Sequence, residues 1–157
     1  MKLDPKVRDA LLASVAAHWE AIETYTGQRA HLQAAGYGAG LADAVGADPD
    51  EEREHLARLL ARLEWFDEPT EAEATEPPDW PRHDLPGILR YNLALEEAAA
   101  GIERDGYAAA LAAGDPGTAE VFLANLRGSE DGVLTIQATQ RKVADQTLAN
   151  FLSAFNG

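Results

Sequence analysis

The apolar residues of the first 35 positions recur in steps of four and three, which is the spacing of one face of an α-helix. This stripe comprises Leu11, Val15, Ile22, Tyr25 and Leu32. Asp4-Pro5 is a helix-start signal, because the carboxylate caps free N–H groups and proline fits the first turn. Glycines from Gly36 onward end the pattern, so the sequence predicts a first helix of about 30 residues.

The same start signal returns three times further along the chain. It stands at Asp48-Pro49, at Asp84-Leu85-Pro86 and at Asp115-Pro116. An apolar stripe of helical period follows each signal, so three more helices are predicted. The second helix is expected to stop before Pro69, the third at Gly114, and the fourth to continue nearly to the C-terminus at Phe155. A short helical turn is expected at 41–47.

A long connection separates the second and third predicted helices. Residues 67–84 (DEPTEAEATEPPDWPRHD) are acidic and rich in proline, with no helical period. At roughly 3.3 Å per residue this segment can reach the far end of a bundle, which permits a topology other than up-down-up-down. The predicted fold is therefore all-α, a four-helix bundle with a long crossover between the second and third helices. We expect residues 1–157 to form a single domain.

The charge balance and the residue usage narrow the range of functions. The formal net charge is −14, and the arginines are interleaved with acids, so neither nucleic acid nor a membrane surface is an expected partner. The absence of an apolar run long enough to span a bilayer, and of a secretory signal, predicts a cytoplasmic protein. The chain has no cysteine, which excludes disulfides and thiolate metal sites. No haem is expected, and methionine ligation of haem within the fold is excluded because Met1 is the only methionine.

Five ionisable residues stand on the apolar stripes, and every predicted helix carries at least one. They are His18, Glu52, His55, Glu96 and Glu130. A charge that faces a helical core is costly unless it is paired or binds a metal. Glu52 and His55 have the Glu-x-x-His spacing, which places a carboxylate and an imidazole on the same side of a helix. Such side chains hold metal ions in bundle cores, and they suit iron(II), manganese(II) or zinc.

Four stretches of the chain resemble the helices of bacterioferritin-like proteins, in the same order and with similar spacing. They are HWEAIETY at 18–25, DEEREH at 50–55, YNLALE at 91–96 and LRGSEDGV at 126–133. The resemblance implies a ferritin-like homo-oligomer, often a hollow cage, with a di-iron carboxylate centre. It also implies iron storage and ferroxidase activity, in which oxygen or peroxide oxidises iron(II), and it places Tyr25 near the metal.

The chain departs from the family's ligand pattern at two places. His18 stands where the resemblance leads us to expect a glutamate. The second departure is on the fourth helix, and it can be described in two ways. If Glu130 is the ligand, Val133 occupies the expected histidine position. An ungapped match to the family's motif instead places Ser129 and Gly132 at the two ligand positions. The predicted metal ligands are therefore Glu52, His55, Glu96, His18 and Glu130. The expected metal is iron, with manganese or zinc as alternatives.

Three other interpretations remain open from the sequence. The chain could be a metal-free helical interaction or assembly protein that kept the fold and lost the site. It could be a non-haem di-iron oxygenase, which requires an apolar pocket beside the metals. It could also be a mini-ferritin variant, in which ligands meet across a dimer interface; the residues that fit this arrangement are His18, His31, Asp50 and Glu54.

Overall fold

The computed structural model describes residues 2–70 and 76–155, which contain six α-helices and no strand. The helices are α1 Pro5–Ala34, α2 Gly38–Ala44, α3 Pro49–Trp65, α4 Leu85–Ala112, α5 Pro116–Asp145 and α6 Leu148–Ser153. The four long helices, α1, α3, α4 and α5, form the bundle, and this confirms the predicted all-α fold. Within the described ranges, no helix is long and apolar enough to cross a membrane.

Helices α1 and α3 are antiparallel. Arg8, near the start of α1, forms an ion pair of 2.9 Å with Glu68, which lies just beyond the end of α3. His18, near the middle of α1, contacts Glu52 in the first turn of α3. Later positions on α1 therefore meet earlier positions on α3.

Helix α4 is also antiparallel to α1, so it runs in the same direction as α3. Gln28, near the end of α1, exchanges side-chain hydrogen bonds of 2.7 Å with Asn92, near the start of α4. His18 meets Glu103, which lies further along α4. Two consecutive long helices that run in the same direction need a connection that returns along the bundle.

The connection between α3 and α4 makes this return. It begins at the Arg8 end of α1, where Glu68 is held. At its other end Trp80 is 5% exposed and lies 3.6 Å from the position that a Cβ would take on Gly27. Arg8 and Gly27 are roughly 28 Å apart along α1 at 1.5 Å per residue. The reach predicted for the crossover is thus observed, although its residues 71–75 lie outside the described part of the chain.

The last predicted helix differs from the observed one, because the structure divides it into α5 and α6. Gln146 is extended, with φ −132° and ψ 169°, and ends α5. The Thr147 side chain then accepts a hydrogen bond of 3.1 Å from Asn150 N, which starts α6. Phe151 of α6 is buried. A threonine N-cap inside the apolar stripe is therefore the physical reason for the break.

Two apolar cores lie toward the two ends of the bundle. One includes Val7, Leu11, Leu59, Leu63 and Phe122. The other includes Leu32, Leu41, Trp80, Ile88 and Phe151. Between them lies a layer of buried ionisable side chains, which comprises His18, Glu52, His55, Glu96 and Glu103. The bundle thus places its buried charges together, midway along α1 and α4.

Candidate metal centre

His18 of α1 is the centre of the buried polar layer. Its side chain is 1% exposed. Nδ1 lies 2.5 Å from Glu52 Oε2 on α3, and Nε2 lies 2.7 Å from Glu103 Oε1 on α4. The Ser14 hydroxyl donates to the same Glu103 oxygen at 2.6 Å. The orientation of the imidazole is therefore fixed from both sides.

Glu52 and His55 enter this layer from the first two turns of α3, as their i, i+3 spacing predicts. His55 Nδ1 lies 3.8 Å from Glu52 Oε2, which is too long for a hydrogen bond. This buried nitrogen has no hydrogen-bond partner among the described residues. The peptide oxygen of His55 accepts a bond of 3.2 Å from Asn125 Nδ2 on α5. The backbone at His55 is thus held, while an inward nitrogen is left without a partner.

The ligand atoms of these three residues converge. One atom each from His18, Glu52 and His55 lie within 4.8 Å of one another, and all three residues are buried. Together they offer two imidazole nitrogens and one carboxylate oxygen. This donor set is found at mononuclear iron(II) sites and at zinc sites. The arrangement can therefore hold one divalent metal ion.

The charges of the cluster depend strongly on one another. Burial lowers the pKa of His18, but the hydrogen bonds to Glu103 and Glu52 outweigh it and raise the pKa to about 9. Burial raises the pKa of Glu52, but contacts with His18 and His55 outweigh it and lower the pKa to about 2. At neutral pH an imidazolium therefore lies against the Glu52 carboxylate.

Glu96 of α4 lies beside the cluster, in contact with Tyr25. The Tyr25 hydroxyl donates a hydrogen bond of 2.8 Å to Glu96 Oε1. Burial and the neighbouring charge of Glu52 raise the pKa of Glu96 to about 8. The residues Tyr25, Glu52 and Glu96 line one cavity of about 120 Å³. Glu96 thus lies next to the three converging residues, in surroundings that disfavour its charged form.

Glu130 of α5 is placed differently from the other four predicted ligands. Its side chain is exposed and lines an open groove with Glu97, Arg104 and Val133. Its neighbour Ser129 is fully buried instead, and the Ser129 hydroxyl has no partner among the described residues. The structure therefore brings His18, Glu52, His55 and Glu96 into one layer and leaves Glu130 outside it.

Two glycines, Gly128 and Gly132, occupy the positions where α5 passes closest to the cluster. A Cβ on Gly132 would lie 2.9 Å from the carboxyl carbon of Glu96, and a Cβ on Gly128 would overlap the His55 ring. The described residues of α5 put no carboxylate or imidazole into the buried layer. Ser129 and Gly132, the two positions of the ungapped match, lie on the side of α5 that faces the cluster.

The four residues of the mini-ferritin alternative do not meet within this chain. His18 is buried in the layer just described. Asp50 and Glu54 are exposed, and they pair with arginines of their own helix. His31 instead contacts Trp80, with 5.5 Å between the ring centroids. Any role for Asp50 and Glu54 would thus lie on the outer surface of α3.

Glu103 is the residue of the cluster that the sequence analysis missed. It is fully buried, and it holds His18. The sequence does contain a pattern that indicates this residue. Glu103 follows Glu96 by seven residues, and this spacing returns to nearly the same face of a helix. Ser14 similarly precedes His18 by four residues. An i, i+7 search from Glu96 would have found the carboxylate.

Comparison with known families agrees with this fold. The family model described as Ferritin-like domain matches residues 8–145 of the chain. The protein belongs to the ferritin-like family. No curated protein matches the chain. Ferritin-like bundles can bind metal ions through buried histidines and carboxylates. The buried group described above is therefore a candidate metal centre.

Proposed function

We propose that this ferritin-like protein binds one divalent metal ion, foremost iron(II), through His18, Glu52 and His55. The observation that carries the proposal is the convergence of three ligand atoms within 4.8 Å, with His55 Nδ1 buried and unpartnered in the described structure. A buried imidazole nitrogen without a partner is unfavourable, and coordination would satisfy it. In this proposal Glu96 completes the shell once it has lost its proton, and Glu130 takes no part.

The number of ions is part of the proposal. The family resemblance implies two irons held by six ligands, whereas α5 presents Ser129 and Gly132 toward this layer. We therefore place the chain near the bacterioferritin-like branch, with a site reduced to one ion. Bound iron(II) would supply one-electron chemistry with oxygen or peroxide. Sequestration or slow oxidation of iron(II) is the function that this site supports best.

The roles of the protein groups follow from their contacts. His18 must be neutral to coordinate through Nδ1, and Glu103 can then accept a hydrogen bond from Nε2–H at 2.7 Å. A carboxylate in this position orients a histidine ligand and makes it more basic. Glu52 stays ionised and supplies the negative charge that a dication needs. Tyr25 holds Glu96 beside Glu52 through its hydroxyl.

The test is the metal content of the purified chain. After anaerobic incubation with iron(II) and removal of unbound metal, we expect one iron per chain by elemental analysis. His55→Ala should lose most of this iron, because it removes one of the three donors. His83→Ala is the matched control, because His83 is exposed and lies outside the buried layer. The proposal fails if the wild-type chain takes up no iron, manganese or zinc, or if His55→Ala binds as much as the control.

A second candidate is a metal-free bundle that serves in interaction or assembly. It is favoured by the contacts of His18, which already bridges Glu52 and Glu103 at 2.5 and 2.7 Å. Replacing His18, Glu52 and Glu103 together by leucine would then leave the melting temperature unchanged or raised, because buried ion pairs often stabilise less than apolar packing. A metal-dependent rise in the melting temperature of the wild-type chain would count against this candidate.

The third candidate from the sequence, an oxygenase, needs an apolar pocket beside the metal. The cavity beside Glu52 is about 120 Å³, smaller than the engineered cavity of about 150 Å³ that binds benzene. This size favours small inorganic substrates over organic ones.

The predicted homo-oligomer and cytoplasmic location remain part of the proposal, and the native mass of the iron-loaded protein gives the number of chains.

A further inference from the structure

A second pair of histidines, His31 and His83, lies at the other end of the bundle. Their ring centroids are 5.5 Å apart. Both line a cavity of about 240 Å³, which lies where α1 ends, beside α2, the start of α4, and α6. The metal centre described above lies in a separate layer and shares no lining residue with this cavity.

Most of the cavity wall is apolar. The side chains that form it include Leu32, Leu41, Leu85, Ile88, Leu148 and Leu152. Four of these belong to the buried core at this end of the bundle. The division of the last helix matters here, because Leu148 and Leu152 belong to α6. The break at Gln146 thus allows α6 to close one side of the cavity.

The polar part of the wall is basic. It contains His31, Arg82 and His83, together with Tyr37, and no acidic side chain is among the described residues that line the cavity. This is unusual in a chain with 27 acidic residues and only 13 lysines and arginines. The acid nearest to Arg82 along the chain, Asp84, caps α4 and lies 3.5 Å from Arg90.

The position of Arg82 is supported by a buried ring. Its guanidinium carbon lies 4.6 Å from the centroid of Trp80. Trp80 is 5% exposed, it contacts His31, and its ring lies 3.6 Å from the position that a Cβ would take on Gly27 of α1. An arginine that stacks on a fixed aromatic ring keeps its N–H fork available for an anion.

We propose that this cavity binds a small organic carboxylate whose body is apolar, such as an aromatic or short-chain acid. Arg82 would hold the carboxylate through charge-assisted hydrogen bonds, and the imidazole N–H groups of His31 and His83 would add donors. The leucine wall would receive the apolar body. A volume of about 240 Å³ exceeds the cavity of about 150 Å³ that accepts benzene, so a single substituted ring fits. This site does not depend on the metal centre.

Calorimetric titration of the full chain with three probes tests the ligand class. Phenylacetate combines the charge with the ring, phenylacetamide has the same shape without the charge, and acetate has the charge without the ring. We expect saturable binding of one phenylacetate per chain, and binding of each other probe at least about tenfold weaker, because each lacks one of the two interactions. Equal binding of phenylacetamide would overturn the proposal, and so would the absence of phenylacetate binding at millimolar concentration.

Two arginine variants test the location. Arg82→Gln should weaken phenylacetate binding about tenfold, through loss of one charge-assisted contact. Arg90→Gln is the matched control, because Arg90 is exposed and lies outside the cavity wall. Both side chains are exposed, so both variants are expected to fold. Unchanged affinity in Arg82→Gln, or an equal loss in the two variants, would show that the carboxylate binds elsewhere.

Discussion

At the scale of single residues, the histidine at position 18 decides what the buried layer can do. A carboxylate at this position would add negative charge beside Glu52 and Glu103. The imidazole instead accepts a proton and lies 2.5 and 2.7 Å from these two residues. A protonated His18 contributes one positive charge between these two buried carboxylates and so reduces their mutual repulsion. The same imidazole provides the second nitrogen that the proposed metal centre needs.

Glu103 should control metal affinity without touching the metal. In Glu103→Gln the amide no longer carries the charge that orients His18 and makes it basic, so affinity for iron(II) or cobalt(II) should fall roughly tenfold to a hundredfold. Competition with a chelator measures this affinity, and the cobalt(II) absorption spectrum reports the ligand environment. Glu97→Gln is the control, because Glu97 is exposed on the same helix. An unchanged affinity in Glu103→Gln would contradict the role given to Glu103.

At the scale of helices, close contact between α4 and α5 depends on small residues. A Cβ on Gly106 of α4 would lie 2.5 Å from two ring atoms of Phe122 on α5, and this ring is fully buried. Gly101 lies on the same helix, and a Cβ there would meet nothing within 4 Å. The two glycines therefore have opposite consequences, although both weaken helix propensity in the same way.

This contrast gives a matched pair of substitutions. Gly101→Ala should raise the free energy of unfolding by about 0.5–1 kcal/mol, because alanine has the higher helix propensity. Gly106→Ala should lower it by about 1–3 kcal/mol, because the added methyl group would overlap the buried ring of Phe122 and force it to shift. Urea unfolding followed by circular dichroism measures both values. Stabilisation by Gly106→Ala would mean that α4 and α5 are not packed this closely.

The start of α5 is tied to α3 through Asp115. Its carboxylate accepts hydrogen bonds from Thr118 N (3.0 Å), from the Thr118 hydroxyl (2.5 Å) and from Arg62 (2.8 Å). Burial alone raises the pKa of Asp115, but these contacts outweigh it and hold the pKa below its usual value. Because the folded state lowers this pKa, the stabilisation is complete above the unfolded pKa and is lost as the pH falls through the folded one.

Asp115→Ala should therefore lower the free energy of unfolding by about 1–2 kcal/mol at pH 7, since it removes a helix cap and a charged contact. The difference from the wild-type chain should shrink below about pH 4, where the unfolded aspartate becomes protonated. Urea unfolding at a series of pH values measures this convergence. Asp9→Ala is the control, because the Asp9 side chain is 78% exposed. A difference that stays constant down to pH 2 would exclude the carboxylate as its cause.

At the scale of the whole molecule, the crossover between α3 and α4 determines the topology of the bundle. It lets α3 and α4 run in the same direction, and it carries Trp80 and Arg82 to the end of the bundle opposite Glu68. One long connection thus sets the topology and also contributes Arg82 and His83 to the basic wall of the second cavity. The buried ionisable layer lies between the two apolar cores.

The sequence by itself determined where the four long helices begin and how Glu52 and His55 are placed relative to each other. Helix starts depend on local chemistry, and the aspartates at positions 4, 48, 84 and 115 cap α1, α3, α4 and α5 as predicted. The Glu-x-x-His spacing likewise fixes the relative direction of Glu52 and His55, because both lie on one rigid helix. These features need no knowledge of other helices, so periodicity and capping rules were sufficient for them.

Only the tertiary structure decided which neighbours face inward and what they contact. Adjacent residues on a helix point about 100° apart. Because glycines flank Ser129 and Glu130, the apolar pattern of α5 does not indicate which of the two side chains faces the core. The packing of α5 against His55 and Glu96 makes that choice and buries Ser129. The contact of His18 with Glu103 joins residues 85 positions apart. Contacts between distant helices depend on their packing, and a pattern read along one helix does not contain that information.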